Sequence, residues 1–343
     1  MTESPGGRYG DPYQLASCAI AAVLLLLVMV LHLLPALLAG LLVYALVHLL
    51  APRLQRHISG ERAKLFALAL LAGVVVALVA GLVFAAIAFF RSDAGSLKML
   101  FQKMAEIVDG SRASLPAWLI ENLPSAGSSG EDIRTAVVHW LRTHAGEVQL
   151  VGRETALAVA HILVGMVIGA IVSLHEATTA ADGRPLARAL TERAWRLAES
   201  FRRIVFAQVR ISAINAAFTA VYLAVALPLF GVQLPLTKSL IALTFIVGLL
   251  PVVGNLISNT VIVVVSMAHS PAVALSSLAY LVVIHKLEYF LNARIVGAQI
   301  RAHAWELLLA MLTMEAAFGL AGVVAAPIYY AYLKEELLQR RLV

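Results

Sequence analysis

Residues 15–50 read LASCAIAAVLLLLVMVLHLLPALLAGLLVYALVHLL, without one Lys, Arg, Asp or Glu. A helix needs about 20 predominantly apolar residues to cross a bilayer. This run is too long for one crossing, and Pro35 near its middle cannot continue a helical hydrogen-bond ladder. It reads as a tight helical hairpin, Gln14–Leu34 followed by Ala36–Leu50. A signal peptide would carry a charged leader and lead into a polar start. Here only Arg8 supplies positive charge ahead of the run, and more apolar sequence follows it.

The whole chain has the same character. Of its 343 residues 61% are hydrophobic and 13% charged, with a mean hydropathy of +0.88. A soluble domain carries roughly 25% charged residues. Such an apolar excess finds no water-excluded interior unless a bilayer supplies one, which excludes an ordinary cytosolic enzyme, a disordered chain and a nucleic-acid module. The net charge is +6. No basic stretch carries the interleaved aromatics of a nucleic-acid surface, and lysine and arginine gathered on cytoplasmic loops explain the sign. The single cysteine, Cys18, allows no internal disulfide and has no metal-ligand spacing.

Further segments follow in order. Leu65–Phe90 is a spanning helix. Residues 91–150 form a polar insert with two amphipathic patterns, Leu97, Leu100, Phe101, Met104 and Val108, then Ile133, Val137, Trp140 and Leu141. Pro116, Pro124 and the Ser/Gly-rich stretch 125–130 separate them. Spanning resumes at Val151–Leu174 with His161, read as a core histidine. After the break Asp182–Pro185, an amphipathic surface helix presents Leu186, Leu190, Leu197 and Phe201 on one face, with Arg188, Glu192, Arg196 and Glu199 elsewhere. It feeds a span at Ile204–Phe230. Leu236–Leu250 and Leu256–Met267 are short arms around Pro251–Asn255, Ala272–Ile284 runs into a charged end, and Trp305–Leu333 is interrupted at Gly319–Gly322. Half-length arms meeting at a Pro/Gly break point to re-entrant hairpins, tolerated where protein or water surrounds the broken backbone. A kinked continuous helix is the alternative. Tyr329, Tyr330 and Tyr332 read as an interfacial aromatic belt.

Charge orients these segments. The loop 52–64 holds Arg53, Arg56, Arg62 and Lys64, and 175–203 holds six arginines. Residues 292–303 add Arg294 and Arg301, and the tail adds Lys334, Arg340 and Arg341. The insert 91–150 has six basic residues against seven acidic ones. The basic loops and both termini therefore belong in the cytoplasm and the insert outside. The organisation is 1–90 as membrane hairpin and spanning helix, 91–150 as extracytoplasmic helical insert, and 151–343 as membrane core with the amphipathic linker 175–203.

Enzyme signatures are missing: no HExxH helix, no Gly-x-Ser-x-Gly elbow and no P-loop lysine. The expectation is a non-enzyme without cofactor or metal, driven by an ion gradient or by diffusion. Polar residues inside apolar segments are the candidates. Thr244, Asn255, Ser258, Asn259 and Thr260 cluster at the break Pro251–Gly254, where freed backbone groups and side-chain amides can build a transport site. Interhelical hydrogen-bond glue is the competing reading, and it is the one adopted for Asn215 and Thr219, a turn apart. Glu315 is the only charged residue between Leu307 and Leu333, with Gly319 and Gly322 one and two turns on. A charge at a helix centre costs about 2.5–3.5 kcal/mol on insertion scales. Glu315 is therefore expected to face protein or water and to carry a proton or cation. A structural glutamate paired with His285, Lys286 or Arg294 is the other reading.

Three motifs occur in order. Pro251-Val252-Val253-Gly254 resembles an Ile-Pro-Tyr-Val-Gly break; Glu288 with Arg294-Ile295-Val296-Gly297 resembles Glu-x(5)-Arg-Ile-Val-Gly; Gly319-Leu320-Ala321-Gly322 with Pro327 resembles Gly-x-x-Gly-x(4)-Pro. Together they are similar to the autoinducer-2 exporter family of bacterial membrane permeases. The chain departs from that pattern at Asn255 and Ala293, where proline is common, and at His285, where glutamine is. The resemblance implies an all-α polytopic bundle of about eight membrane segments in the bacterial inner membrane. It also implies a homo-oligomer, a pentamer in the family, and transport of small solutes, with H+ or Na+ as coupling ion in some members. It adds Glu288 and Arg294 to the expected pathway residues Glu315, Asn255, Ser258 and Asn259, and Gly297 to the expected hinges or tips Pro251, Gly254, Gly319 and Gly322. The function expected is a secondary transporter of a small polar solute, such as a signalling molecule, or cation/proton exchange. The alternative is a non-transporting membrane scaffold or regulatory protein.

Overall fold

The computed structural model describes residues 12–56, 61–91, 102–104, 106, 139, 152–178, 184–250, 253–267, 269–295 and 303–340. Among them the only regular structure is helical. We number the helices α1 (Pro12–Val30), α2 (Leu34–Gln55), α3 (Glu61–Arg91), α4 (Gly152–Thr178), α5 (Pro185–Val221), α6 (Thr237–Val247), α7 (Val253–Ser266), α8 (Pro271–Ile295), α9 (Ala304–Phe318) and α10 (Leu320–Gln339). Among the described residues five stretches are long and apolar enough to cross a membrane: Pro12–Val30, Leu34–Leu54, Arg62–Phe89, Leu157–Glu176 and Pro185–Leu229. The two amphipathic patterns of the insert lie almost wholly outside the described residues, as do Pro251 and Gly297.

The first apolar run divides into two helices, but not at the expected break. His32 takes a left-handed φ of 56°. The His32 N–H donates to the Met29 carbonyl (3.2 Å) and the Leu33 N–H to that of Val28 (2.9 Å). That pair of bonds is the Schellman pattern that closes a helix with a left-handed residue. Pro35 then falls in the first turn of α2, where its missing N–H leaves no bond unmade. Proline thus starts the second helix, and the turn moves upstream to residues 31–33.

The expected division between a surface helix at 186–201 and a span from 204 is also corrected. α5 is one helix of 37 residues. It runs through a π turn, Tyr222–Ala226, into a last turn at Leu227–Leu229. Nothing between Leu186 and Val221 is proline or glycine, so the ladder has no reason to stop where the sequence turns apolar. Gly231 closes the far end: it takes a φ of 76°, its N–H donates to the Pro228 carbonyl (2.9 Å) and the Val232 N–H to that of Leu227 (3.0 Å), the same Schellman pattern. Arg196 was expected on the helix surface; it is buried.

The chain forms two compact units. One draws on Met1–Val83, Thr155–Phe206 and Gln299–Val343, the other on Phe84–Glu154 and Ala207–Ala298. In the first, Val43 and Val47 of α2, Leu68, Ala72 and Val75 of α3 and Met166 of α4 share a core. Phe201 and Ile204 of α5 pack with Ile328 of α10. In the second, Tyr222, Leu223, Leu240, Ile262, Val265 and Leu281 form a core that also buries Met104, one of the apolar positions expected on the insert's first helix.

Within the first unit α9 and α10 make an antiparallel hairpin. Lys334 and Tyr330 both reach Glu306, and Gly322 lies against Met314; each pair is spaced about residue 318. A continuous kinked helix could not bring these partners together. The three tyrosines of α10, expected as an interfacial belt, are engaged within the unit. Tyr332 is buried, Tyr329 donates to the Leu25 carbonyl at 3.3 Å, and Tyr330 donates to Glu306.

Candidate functional site

The last carbonyls of a helix have no partner within it, and α6 stops at Val247. Its end is met by α5. Gln208 donates from Nε2 to the Gly248 carbonyl at 2.7 Å, and Ser212 donates from Oγ to that of Phe245. Asn215 extends the contact into α7, its Nδ2 donating to Asn255 Oδ1 at 2.8 Å. Beyond the break, Gly254 N donates to the Leu250 carbonyl at 3.2 Å. A Cβ on Gly254 would fall 2.1 Å from the Val247 carbonyl oxygen, so only glycine lets the two arms approach here.

The same face of α5 continues to Tyr222. Positions 208, 212, 215, 219 and 222 alternate steps of four and three, which keeps them on one stripe of a helix. Tyr222 stacks on Tyr280 of α8, ring centroids 4.0 Å apart, and its hydroxyl meets Ser277 Oγ at 3.0 Å. Ser277 also bonds Ser266 of α7 at 2.8 Å. Tyr280 donates to the Phe218 carbonyl at 2.9 Å. Between Asn215 and Tyr222 stands Thr219, 1% exposed, and its Oγ1 is a buried hydroxyl without a hydrogen-bond partner among the described residues. The stripe is polar, uncharged and sunk in apolar surroundings. It can hold a hydrogen-bonding group that brings its own donor or acceptor to Thr219.

Of the expected residues, Asn255 joins this site directly, and Ser258, 1% exposed, bonds back to the Asn255 carbonyl at 3.3 Å. Asn259 is partly buried one residue further along α7. Asn215, read as glue, is bonded to the break itself. Glu288 and Arg294 lie on α8. Glu315 sits near the end of α9, in the other unit, exposed on the single chain. Gly319, with φ 61° and ψ −144°, forms the tip between α9 and α10, in a backbone region that is essentially glycine's own. Gln208, Ser212, Tyr222, Ser266, Ser277 and Tyr280 went unnoticed in the sequence. For Gln208, Ser212 and Tyr222 the signal was the four-three spacing of polar residues along α5; Ser266, Ser277 and Tyr280, on α7 and α8, carried none. No cluster of three metal-ligating side chains occurs among the described residues.

The first unit carries the contrasting, charged arrangement. Glu336 near the end of α10 is 6% exposed and Arg193 of α5 is 2% exposed. Arg196 Nη1 stands 2.9 Å from Glu336 Oε1, with Arg193 and Arg340 guanidinium nitrogens at 3.9 and 4.0 Å from Oε2. Arg193 also donates to Gln14 Oε1 at 3.0 Å and to Cys18 Sγ of α1. Glu306 takes Lys334 Nζ at 2.6 Å at the mouth of the α9–α10 hairpin.

No curated protein and no solved structure matches the chain at a significant level. One family model does match, that of the AI-2E family transporters, over residues 17–340. With five apolar helices of spanning length and a match over nearly its whole length, the chain belongs to the AI-2E transporter family and is a multi-pass membrane transporter.

Proposed function

We propose that the chain is a secondary transporter that moves a small polar solute, or exchanges a cation for a proton, through the polar face between α5 and the α6–α7 break. The observation that carries this reading is the buried hydroxyl of Thr219, which has no hydrogen-bond partner among the described residues, beside the Asn215–Asn255 bridge. A stripe that served packing alone would have its hydroxyls satisfied. Asn255, Ser258 and Asn259 line the break. Glu288 and Arg294, on α8, belong to the pathway, and Glu315 carries a proton or cation near the Gly319 tip. Pro251, Gly254, Gly297, Gly319 and Gly322 are the points about which the arms move. Both hairpins are re-entrant in this reading, and with the spans they make about eight membrane segments.

The setting is the inner membrane, with both termini cytoplasmic, the insert 91–150 outside and the chain assembled as a homo-oligomer. Cysteines at Ser128 and Gly183, in a Cys18→Ser background, check the orientation on intact cells. An impermeant thiol reagent should label position 128 and spare 183, and the reverse pattern would refute it. The transport reading is tested by flux of candidate solutes into proteoliposomes with and without a pH or sodium gradient. Wild-type flux that Asn215→Leu abolishes is expected; equal flux in the two would remove the site.

A further inference from the structure

α2 and α4, both in the first unit, run side by side in the same direction. A Cβ on Gly165 would fall 2.1 Å from the Ala36 carbonyl oxygen, and one on Gly169 would fall 2.2 Å from that of Gly40. Further along both helices, the Tyr44 hydroxyl donates to Glu176 Oε2 at 2.8 Å. Partners thus advance together, Ala36 with Gly165, Gly40 with Gly169 and Tyr44 with Glu176, as only parallel helices allow. Small residues let the two backbones approach in the first part of the contact, and the contact ends on a cluster of three titratable groups. His48 completes that cluster. Its Nε2 stands 3.3 Å from the same Glu176 oxygen, its Nδ1 lies 2.9 Å from the Tyr44 carbonyl oxygen, and its ring centroid is 4.0 Å from that of Tyr44.

Hydrogen bonding decides how many protons this cluster holds. A carbonyl oxygen only accepts, so Nδ1 carries a hydrogen; a neutral imidazole has no second one. Nε2 would then turn a lone pair towards a carboxylate oxygen, and their contact calls for a further proton between them. We propose that His48, Glu176 and Tyr44 form a proton-binding site that fastens the end of α4 to α2, closing when protonated and parting when not. With the proton in place, Oε2 accepts from both Nε2 and the Tyr44 hydroxyl, and the Tyr44 ring offers its face to a cation. Without it, the carboxylate keeps the tyrosine alone. The side chains of His48 and Glu176 are 42% and 44% exposed. They lie at the end where both helices lead into the basic stretches 52–64 and 175–203, so the site answers to the pH on that side. α2, α3 and α4 share one core, and the other ionisable side chains described at this end are Arg53, Arg56, Arg62, Lys64 and His175. Arg53, Lys64 and His175 have interactions of their own. α5 reaches α2 at Leu38, Leu41 and Leu42, and there Glu199 is paired with Arg202 and Arg203. The proposal stands apart from the transport site, which lies in the other unit.

The experiment uses the full chain in proteoliposomes with Cys18→Ser, which keeps an acceptor for Arg193. Ser173→Cys places a thiol at a buried position of α4 one turn before Glu176, and Ser200→Cys places one at a buried position of α5 as a control. Labelling by N-ethylmaleimide is timed at about pH 5.5 and about pH 8, spanning the range in which an imidazole ordinarily titrates. Each rate is divided by that of the same thiol in detergent-unfolded protein at the same pH, which removes the thiol's own titration. The ratio at 173 should rise about fivefold or more between the two conditions, the lower end of usual coupling factors, while the ratio at 200 stays level. His48→Leu should give the high ratio at 173 in both. Glu176→Gln should give the low ratio in both, because an amide donates to a neutral imidazole nitrogen and accepts from Tyr44 with no added proton. Lys64→Gln and His175→Gln should keep the wild-type response. An unchanged ratio at 173, an equal rise at 200, or a pH response that survives His48→Leu overturns the proposal, as does one that Lys64→Gln or His175→Gln abolishes. If His48→Leu does not assemble, His48→Gln is read for the same loss of pH response.

Discussion

The two hairpins of the chain are held in opposite ways. α6–α7 is gripped at its tip, where Gln208, Ser212 and Asn215 take the ends of the broken helix by uncharged hydrogen bonds. α9–α10 is gripped at its mouth and its far end, by Glu306 with Lys334 and by Glu336 with Arg193 and Arg196. Its tip, Gly319, has open space where a Cβ would stand. The difference follows from what each bond costs to break. A net neutral hydrogen bond contributes about 0.5–1.5 kcal/mol, so a tip held by three of them can open on a transport timescale. Removing one partner of a buried ion pair costs about 3–5 kcal/mol, so an ionic end stays shut. By that measure the neutral tip of α6–α7 is held more weakly than the ion-paired end of α9–α10.

That contrast can be broken at its strongest point first. Arg196→Met leaves Glu336 short of its nearest cation and should destabilise the protein by about 3–5 kcal/mol, read as a large fall in melting temperature in detergent. Replacing Arg193, Arg196 and Glu336 together by Met, Met and Leu should recover most of that loss, since an apolar cluster of similar volume leaves no buried charge unpaired. A triple variant as unstable as the single one would mean that the cluster does not act through its charges. The next effect is steric. A Cβ on Gly322 would fall 1.9 Å from the Met314 carbonyl oxygen, which no rotamer relieves. Gly322→Ala should cost about 1–3 kcal/mol, as overpacking does. Gly319→Ala, where space is open but φ is positive, should cost about 1–3 kcal/mol, the strain of a non-glycine in a region that glycine alone adopts readily. A larger loss at 319 than at 322 would show that the tip conformation, not arm contact, holds the hairpin. Asn215→Leu comes third. It takes away the donor that Asn255 Oδ1 receives at 2.8 Å, and about 1–2 kcal/mol of stability should go with it. Unchanged melting would show that the bridge is not formed in the membrane.

How much of this could be read from the chain depends on what kind of signal each feature has. The membrane class, the division of 15–50 into two helices and the break near Pro251 are written in runs of residue type, which the physics of burial makes visible. The exact turn at His32 was not. A left-handed histidine carries no mark in sequence, and Pro35 drew attention to itself although its fixed φ fits the start of a helix as well as the end of one. α5 was cut in two because hydropathy changes at 204, yet the backbone ladder responds to proline and glycine rather than to polarity. The site was half legible. Asn255 and Ser258 advertised themselves beside a proline, while Gln208, Ser212 and Tyr222 were spread over four turns and meaningful only in the four-three spacing. The burial of Arg193, Arg196 and Glu336 could not be foreseen, because a charged residue on an amphipathic helix reads as solvated until a partner from α10 is placed against it.

Thr219 separates the neutral region from the ionic one most sharply, because there function and stability should part. Its hydroxyl is buried with no partner among the described residues, and a group left that way costs roughly 1–3 kcal/mol of desolvation. Valine has nearly the same shape without the hydroxyl. Thr219→Val should therefore leave the melting temperature unchanged or raise it by up to a few degrees, unlike every substitution above. If the hydroxyl meets the solute or ion on its way past the Asn215–Asn255 bridge, the same variant should lose flux in proteoliposomes while assembling normally. Thr219→Ser, which restores the hydroxyl and drops a methyl, should recover flux at a small loss of stability from the space it opens. Full flux in the valine variant would take Thr219 out of the pathway. A fall in melting temperature would mean instead that the hydroxyl has a structural partner, a bound water in the first place, and that the stripe along α5 is packing throughout.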